Sequence, residues 1–262
     1  DATRTLLDGA CDEGVLDAVY DGSRDFGFGT AVKAALEWDS ANLQDDADTI
    51  GFRAISAQDS HWLWLLHDDC MPAPDALYQL LAHVTTDQSI DLTGPKLLLP
   101  RRRHGGQPIS EVGVSISGTG RRELELDVDE IDQGQRDQPQ ERLGVSTCGM
   151  LVRTAVWEQL NGLDPALPVF RDGVEFGWRA HLNGYSVVTT PRAEVTHRQV
   201  GRAGLRPHGL TGRRPGKVDR LLGMFVVVGH AERKVLLLVW LRLVWSCLVR
   251  AVGYLIGKVP GR

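Results

Sequence analysis

The sequence predicts an α/β domain followed by a membrane-associated C-terminal helix, and three stretches carry that prediction. Trp62–Leu66 is a run of almost wholly apolar residues, the pattern of a strand buried on both faces of a sheet. His67, Asp68 and Asp69 end it abruptly, Pro72 and Pro74 stop the strand, and a helix opens at about Asp75. Val169–Tyr185 has Phe176, Arg179, Ala180 and Leu182 at helical spacing, and Gly184 ends that helix. Val235–Val259 is mostly Leu, Val and Trp and is long enough to span hydrocarbon.

A chain of 262 residues with 42% hydrophobic and 24% charged residues can bury a core of ordinary globular size. Its net charge of −5 hides an asymmetry. From Arg198 onward there are 13 Lys/Arg against 2 Asp/Glu, which leaves 16 basic and 32 acidic residues before it. The acidic body argues against a nucleic-acid partner, while the basic, increasingly apolar tail suits a membrane surface or a phosphate-rich partner. Cys11, Cys70, Cys148 and Cys247 are widely spaced. They make neither a zinc pattern nor a disulfide framework and fit a reducing cytoplasm.

Along the chain, Asp1–Gly9 reads as an amphipathic helix with Leu6, Leu7 and Ala10 on one face. A short strand is expected at Val15–Tyr20. Gly27 and Gly29 form a loop before a helix at Thr30–Trp38, and a helix N-terminus behind glycines can hold an anion as readily as it can make a plain turn. Asn42–Ala57 is a polar connection. Asp75–Thr85 is a helix whose Leu77, Leu80, Leu81 and Val84 belong to the core. A strand follows within Ile90–Leu99, then a loop with Arg101–Arg103 and His104. Ser110–Arg122 suggests a hairpin, and Leu124–Leu143 a long polar loop, functional or disordered. Gly144–Arg153 is a strand leading to a helix at Thr154–Leu160, which Gly162 stops. Ser186–Thr189 is a strand broken by Pro191, and Ala193–His197 leads to a histidine.

The segment LLHDDCMPAPDAL resembles the metal-binding segment of family 2 glycosyltransferases, whose usual form is Asp-x-Asp followed by a proline-rich turn. VFRDGVEFGWRAHLNGY resembles the same family's acidic motif, and AEVTH its later Val-x-His. Asp1 to His197 follows the family's order of motifs. The resemblance implies a GT-A-type, Rossmann-like mixed sheet flanked by helices, with residues 1–197 as the catalytic domain and a first strand upstream of Asp1. It further implies 198–234 as a basic juxtamembrane linker and 235–259 as a transmembrane or interfacial helix. Asp68 and Asp69 would hold Mg²⁺ or Mn²⁺, with His197 as a third ligand. Gly27, Gly29, Lys33 and His67 would lie on the donor side, and Gly149, Trp178 and Arg179 on the acceptor side. The catalytic base would come from Asp172 or Glu175. Two departures stand out: His67 occupies the first position of an Asp-Asp-Asp pattern, and Gly173 occupies the second position of the acidic pair. Asp172 and Glu175 also have the spacing of a capping box, a structural use of the same residues.

The function so implied is an inverting transfer of a sugar from a nucleotide-diphosphate donor to a cell-envelope glycan or lipid-linked acceptor, at the cytoplasmic side of the cell membrane. A catalytically impaired nucleotide-sugar-binding scaffold and a metal-dependent nucleotide phosphotransferase or hydrolase are the alternatives. Arg242 and Arg250 inside the C-terminal apolar stretch oppose a simple span, since each costs about 2.5–3.5 kcal/mol at a bilayer centre. An interfacial helix is the other solution.

Overall fold

A computed structural model describes residues 2–22, 27–42, 55–57, 60–101, 105–168, 170–203 and 215–256. The elements run α1 (Ala2–Asp12), α2 (Phe28–Asn42), β1 (Ile55–Ala57), β2 (Ser60–Trp64), β3 (Cys70–Pro72), α3 (Ala76–Thr86), β4 (Leu92–Leu98) and β5 (Ile109–Glu111). They continue with β6 (Ser115–Ile116), β7 (Arg122–Glu123), β8 (Leu151–Arg153), α4 (Thr154–Gln159), α5 (Asp172–Leu182), β9 (Val187–His197), α6 (Pro215–Gly229) and α7 (Leu236–Ile256). Most of the expected connection at Asn42–Ala57, and Arg102–His104 of the arginine loop, lie outside the described residues.

One mixed sheet organises the domain in the order β1-β2-β8-β4-β9-β3, with β5 added on β4. Among the described residues, only β4 and β9 pair in parallel. The double burial expected of the Trp62 strand follows from its alternation. Leu63 and Leu65 enter one core layer with Met150, Val152, Trp157 and Phe176, against α4, α5 and the inner side of α2. Trp62 enters the other with Leu80 and Val84 of α3, with Trp64 packed alongside. Both layers are apolar, and their burial supplies the main drive to fold.

Several expectations change in three dimensions. Val15–Tyr20 forms no strand. The prolines after Asp69 do not simply end a strand: Cys70–Pro72 is itself a short strand, paired antiparallel with β9 so that Cys70 faces His197. Pro191 does not break β9, because the ladder with β4 shifts there, from Pro95↔Thr190 to Lys96↔Glu194. A proline has no N–H to donate, and a bulge lets the strand continue past it. The hairpin is the small β6–β7 ribbon, while Ile109–Glu111 joins the main sheet. Gly144–Met150 is irregular, and only Leu151–Arg153 is strand. The segment 124–143 has neither helix nor strand of its own, yet it is anchored. Lys96, 2% exposed, reaches from β4 to Asp132 at 2.6 Å, Asp137 at 2.8 Å and Glu194 at 3.1 Å.

The stretch expected as a linker contains α6, which docks on the domain: Val218, Val226 and Val227 are buried. At Gly223 an added Cβ would stand 2.1 Å from the Gly120 carbonyl oxygen, so only glycine allows this approach. Among the described residues, α7 is the one helix long and apolar enough to cross a membrane. Arg250 is half-buried and lines a cavity on the domain, whereas Arg242 is exposed with its guanidinium lying against Gly118, and Trp240, Trp245 and Leu248 are exposed as well.

Candidate active site

Asp69 follows the end of the doubly buried strand, and β3 then turns the chain back along β9. Pairing of Cys70 with His197 brings the Asp69 carboxylate within 3.2 Å of His197 Nε2. Two backbone amides steady Asp69 further: its carbonyl accepts from Arg198 N–H at 3.0 Å and its Oδ2 from Val200 N–H at 2.8 Å. Asp68 stands exposed on the turn.

His67 lies edge-on to His197, with ring centroids 5.4 Å apart, and edge-on to Phe28 of α2 at 4.5 Å. Its Nε2 is 3.0 Å from Thr147 Oγ1, and Thr147 donates to Asp172 Oδ2 at 3.2 Å. A hydroxyl has one hydrogen, so donation to Asp172 obliges Thr147 to accept from an Nε2–H on His67. Asp69, His197, His67, Thr147 and Asp172 are thus linked in series, by hydrogen bonds or an ion pair except for the ring-edge contact between His197 and His67, from the turn after β2 to the start of α5.

The start of α5 differs from a capping box. Arg171 occupies the N-cap position with φ 74°, makes no side-chain cap hydrogen bond, and leaves Asp172 as the first helical residue. Asp172 is half-buried, and burial pushes its carboxyl up to about 6 despite hydrogen bonds from Gly173 N–H and Thr147. Glu175 does not reach back. Burial opposes its ionisation, but hydrogen bonds from His230 and Arg179 outweigh that and hold it below the ordinary carboxylate value. Arg179 grips it through Nε at 2.6 Å and Nη2 at 2.7 Å. A carboxylate pinned by a two-pronged arginine is a poor proton acceptor, whereas one poised near 6 is a good one.

Gly173 has a steric cause. A Cβ there would lie 2.2 Å from the Val145 carbonyl oxygen, and one at Gly177 2.2 Å from the Leu143 carbonyl oxygen. Helix α5 thus rides directly on the 143–147 backbone, which is what carries Asp172 to Thr147. The acidic residue usual at this position does not fit.

Other expected residues play packing roles. Gly27 and Gly29 allow α2 to approach Pro168 and Leu163, where a Cβ would stand 2.6 and 2.7 Å away. Lys33 is exposed and reaches Asn161 at 3.3 Å. Gly149, at φ 98°, donates to the Leu65 carbonyl and accepts from Trp64 Nε1, locking β2 onto the 149–150 segment. Arg179, expected on the acceptor side, also donates to the Leu160 and Gly162 carbonyls and so ties α5 to the 160–162 turn. Trp178 is stacked on His230 at 4.9 Å. Thr147 and Phe28 contact the candidate site residues His67 and Asp172 without having been singled out in the sequence. Thr147 sits in the run Ser146-Thr147-Cys148, within the segment whose small residues the family resemblance places close to the sugar.

The donors present fit a hard divalent cation. Asp69 and His197 converge, and the potential ligand atoms of His67, Cys148 and His197 lie within 4.8 Å of one another. The Cys148 thiol is buried beside them, and the Asp69 carboxylate with the imidazoles of His67 and His197 supplies donors that a divalent cation takes.

A family profile described as "Glycosyltransferase like family 2" matches residues 45–207, more than half of the chain. The chain belongs to this family, and its curled mixed sheet flanked by helices is GT-A-like. Helices α1 and α2 precede the matched span. Among solved structures, the crystal structure of GalNAc-T7 with UDP, GalNAc and Mn²⁺ is similar at TM-score 0.40 and 14% identity over 52% of this chain. The similar region is 27% of that chain, so this sequence corresponds to about a quarter of its length. No curated protein matches.

Proposed function

We propose that the chain is the catalytic part of an inverting glycosyltransferase that uses a nucleotide-diphosphate sugar. The observation that carries this reading is the linked series from Asp69 and His197 through His67 and Thr147 to Asp172, with one end suited to a cation and the other to a base. Asp69 and His197 would hold Mg²⁺ or Mn²⁺, with Asp68 beside them on the turn. Such an ion supplies charge neutralisation for a departing diphosphate. Asp172 takes the proton from the acceptor hydroxyl during in-line attack on the anomeric carbon. Thr147 orients it, and Glu175 with Arg179 fixes the helix that presents it.

The acceptor is a cell-envelope glycan or a lipid-linked saccharide, met at the membrane. Helix α7 supports this: its exposed Leu, Val and Trp side chains suit hydrocarbon, and Arg250 lines a cavity on the domain. The basic residues preceding α7 support a cytoplasmic catalytic side.

The test is incubation of the full chain with nucleotide-diphosphate sugars and Mn²⁺, with and without membrane extract as acceptor source. Sugar transfer to the extract, lost on chelation, is the expected result. Nucleotide release that is equally fast without acceptor would place the protein among hydrolases, and donor binding without turnover would make it a scaffold.

A further inference from the structure

Beside the start of α5 lies a cavity of about 490 Å³ between the β6–β7 ribbon, α6 and the end of α7. Six arginines line it: Arg121, Arg122, Arg171, Arg202, Arg220 and Arg250. Asp219 is the acidic residue in the lining, and it is already engaged by Arg171, through Nε at 2.7 Å and Nη2 at 3.1 Å. Arg122 is paired with Glu111. Two carboxylates thus face six guanidinium groups, an excess of positive charge in a volume typical of small-ligand sites, about 300–1,000 Å³.

Arg171 gives the strongest sign of a missing partner. Its side chain is 2% exposed, yet Nη1 has no hydrogen-bond partner among the described residues, and Nε of Arg122 is likewise buried and unpartnered. Buried guanidinium hydrogens are ordinarily satisfied. Arg171 also holds a left-handed backbone, uncommon for a residue with a side chain, and that turn sends it towards α6. Burial first, and then crowding by Arg122 and Arg202, disfavours its charged form, while Asp219 favours it. The same burial and the nearness of Arg122 act on Arg202.

We propose that this cavity binds a phosphate-bearing group, a phosphomonoester or diphosphate, separately from the Asp69–His197 end of the site. Forked guanidinium donors match phosphate oxygens in geometry and charge. Two sources share that chemistry: the headgroup of a membrane lipid, which α7 would bring near, and a free phosphate compound.

The test needs no sugar donor, so its outcome is independent of the transfer reading. The full chain in detergent, with chelator present to silence Asp69 and His197, is titrated calorimetrically with inorganic pyrophosphate. In parallel it is floated with phosphatidylcholine vesicles with and without phosphatidic acid. Arg202→Gln and Arg121→Gln alter the more open rim of the cavity. Arg192→Gln, at the exposed position of the otherwise largely buried β9, is the control. Pyrophosphate affinity should fall about tenfold in each rim variant and hold in the control. A response to pyrophosphate alone assigns free phosphate, and added flotation with phosphatidic acid that the rim variants lose assigns the headgroup. No response to either probe, or equal responses in rim and control variants, overturns the proposal.

Discussion

Thr147 donates its hydroxyl to Asp172 across 3.2 Å, and this hydrogen bond joins two segments that β8 and α4 keep apart in sequence. It rests on glycines, because α5 reaches the 143–147 backbone only where no Cβ intervenes. Loss of the hydroxyl in Thr147→Val removes a bond that favours the ionised carboxyl. The acid limb of the kcat/KM profile should therefore move to higher pH, with turnover down about tenfold. An unmoved limb would remove Thr147 from the mechanism.

Asp172, poised at about 6, should make kcat/KM rise through that pH and level off above it. Asp172→Asn should lower turnover on the order of 10²–10⁴-fold. The sign for stability is opposite to that of an ion-paired carboxylate. Its folded pKa is raised, so the favourable contribution exists below the unfolded value of 3.8 and is lost as pH rises to about 6. Asp172→Asn should then melt higher than the parent at about pH 8, by up to about 3 kcal/mol, with no gain near pH 3. Chemical denaturation at both pH values checks this.

Restoring the family's usual acid at position 173 should fail. Gly173→Asp places a side chain against the Val145 carbonyl, where even a Cβ would stand at 2.2 Å. A loss of about 1–3 kcal/mol or more is expected, with activity falling rather than rising. Higher activity in this variant would show that the glycine is a defect and not a packing requirement.

Divalent cation should strengthen donor binding, and Asp69→Ala or His197→Ala should each abolish that strengthening. Calorimetric titration of a nucleotide-diphosphate sugar with and without Mn²⁺ measures it. Equal affinity in both conditions for the parent chain would sink the metal assignment.

Lys96→Met should release the 124–143 loop. Asp132, Asp137 and Glu194 are partly exposed, so removal of the buried ammonium leaves them solvated rather than stranded. The expected cost is about 1–3 kcal/mol, smaller than for a fully buried pair. Limited proteolysis should cut first within 124–143, and unchanged cleavage would mean that the loop is held by other contacts.

The sequence by itself determined the elements whose signal is local. The apolar run at Trp62–Leu66 with its carboxylates, the helices at Ala76–Thr86 and Asp172–Leu182, and the apolar C-terminal helix were all legible from periodicity and breakers. So was the family, through the order of three motifs. What tertiary structure alone decided were the pairings. Cys70–Pro72 looked like a turn because prolines disfavour strands. It is a strand because β9 offers an edge, and only that pairing brings Asp69 to His197. Gly173 looked like a lost acid, and the Val145 carbonyl shows why nothing larger fits. Position in the sequence favoured Asp172, ahead of the expected helix, over Glu175 in its first turn, and the tertiary structure supplied the chemical difference. Burial beside Thr147 raised one, and the grip of Arg179 and His230 held the other down, because a carboxyl's proton affinity depends on neighbours that sequence spacing does not specify.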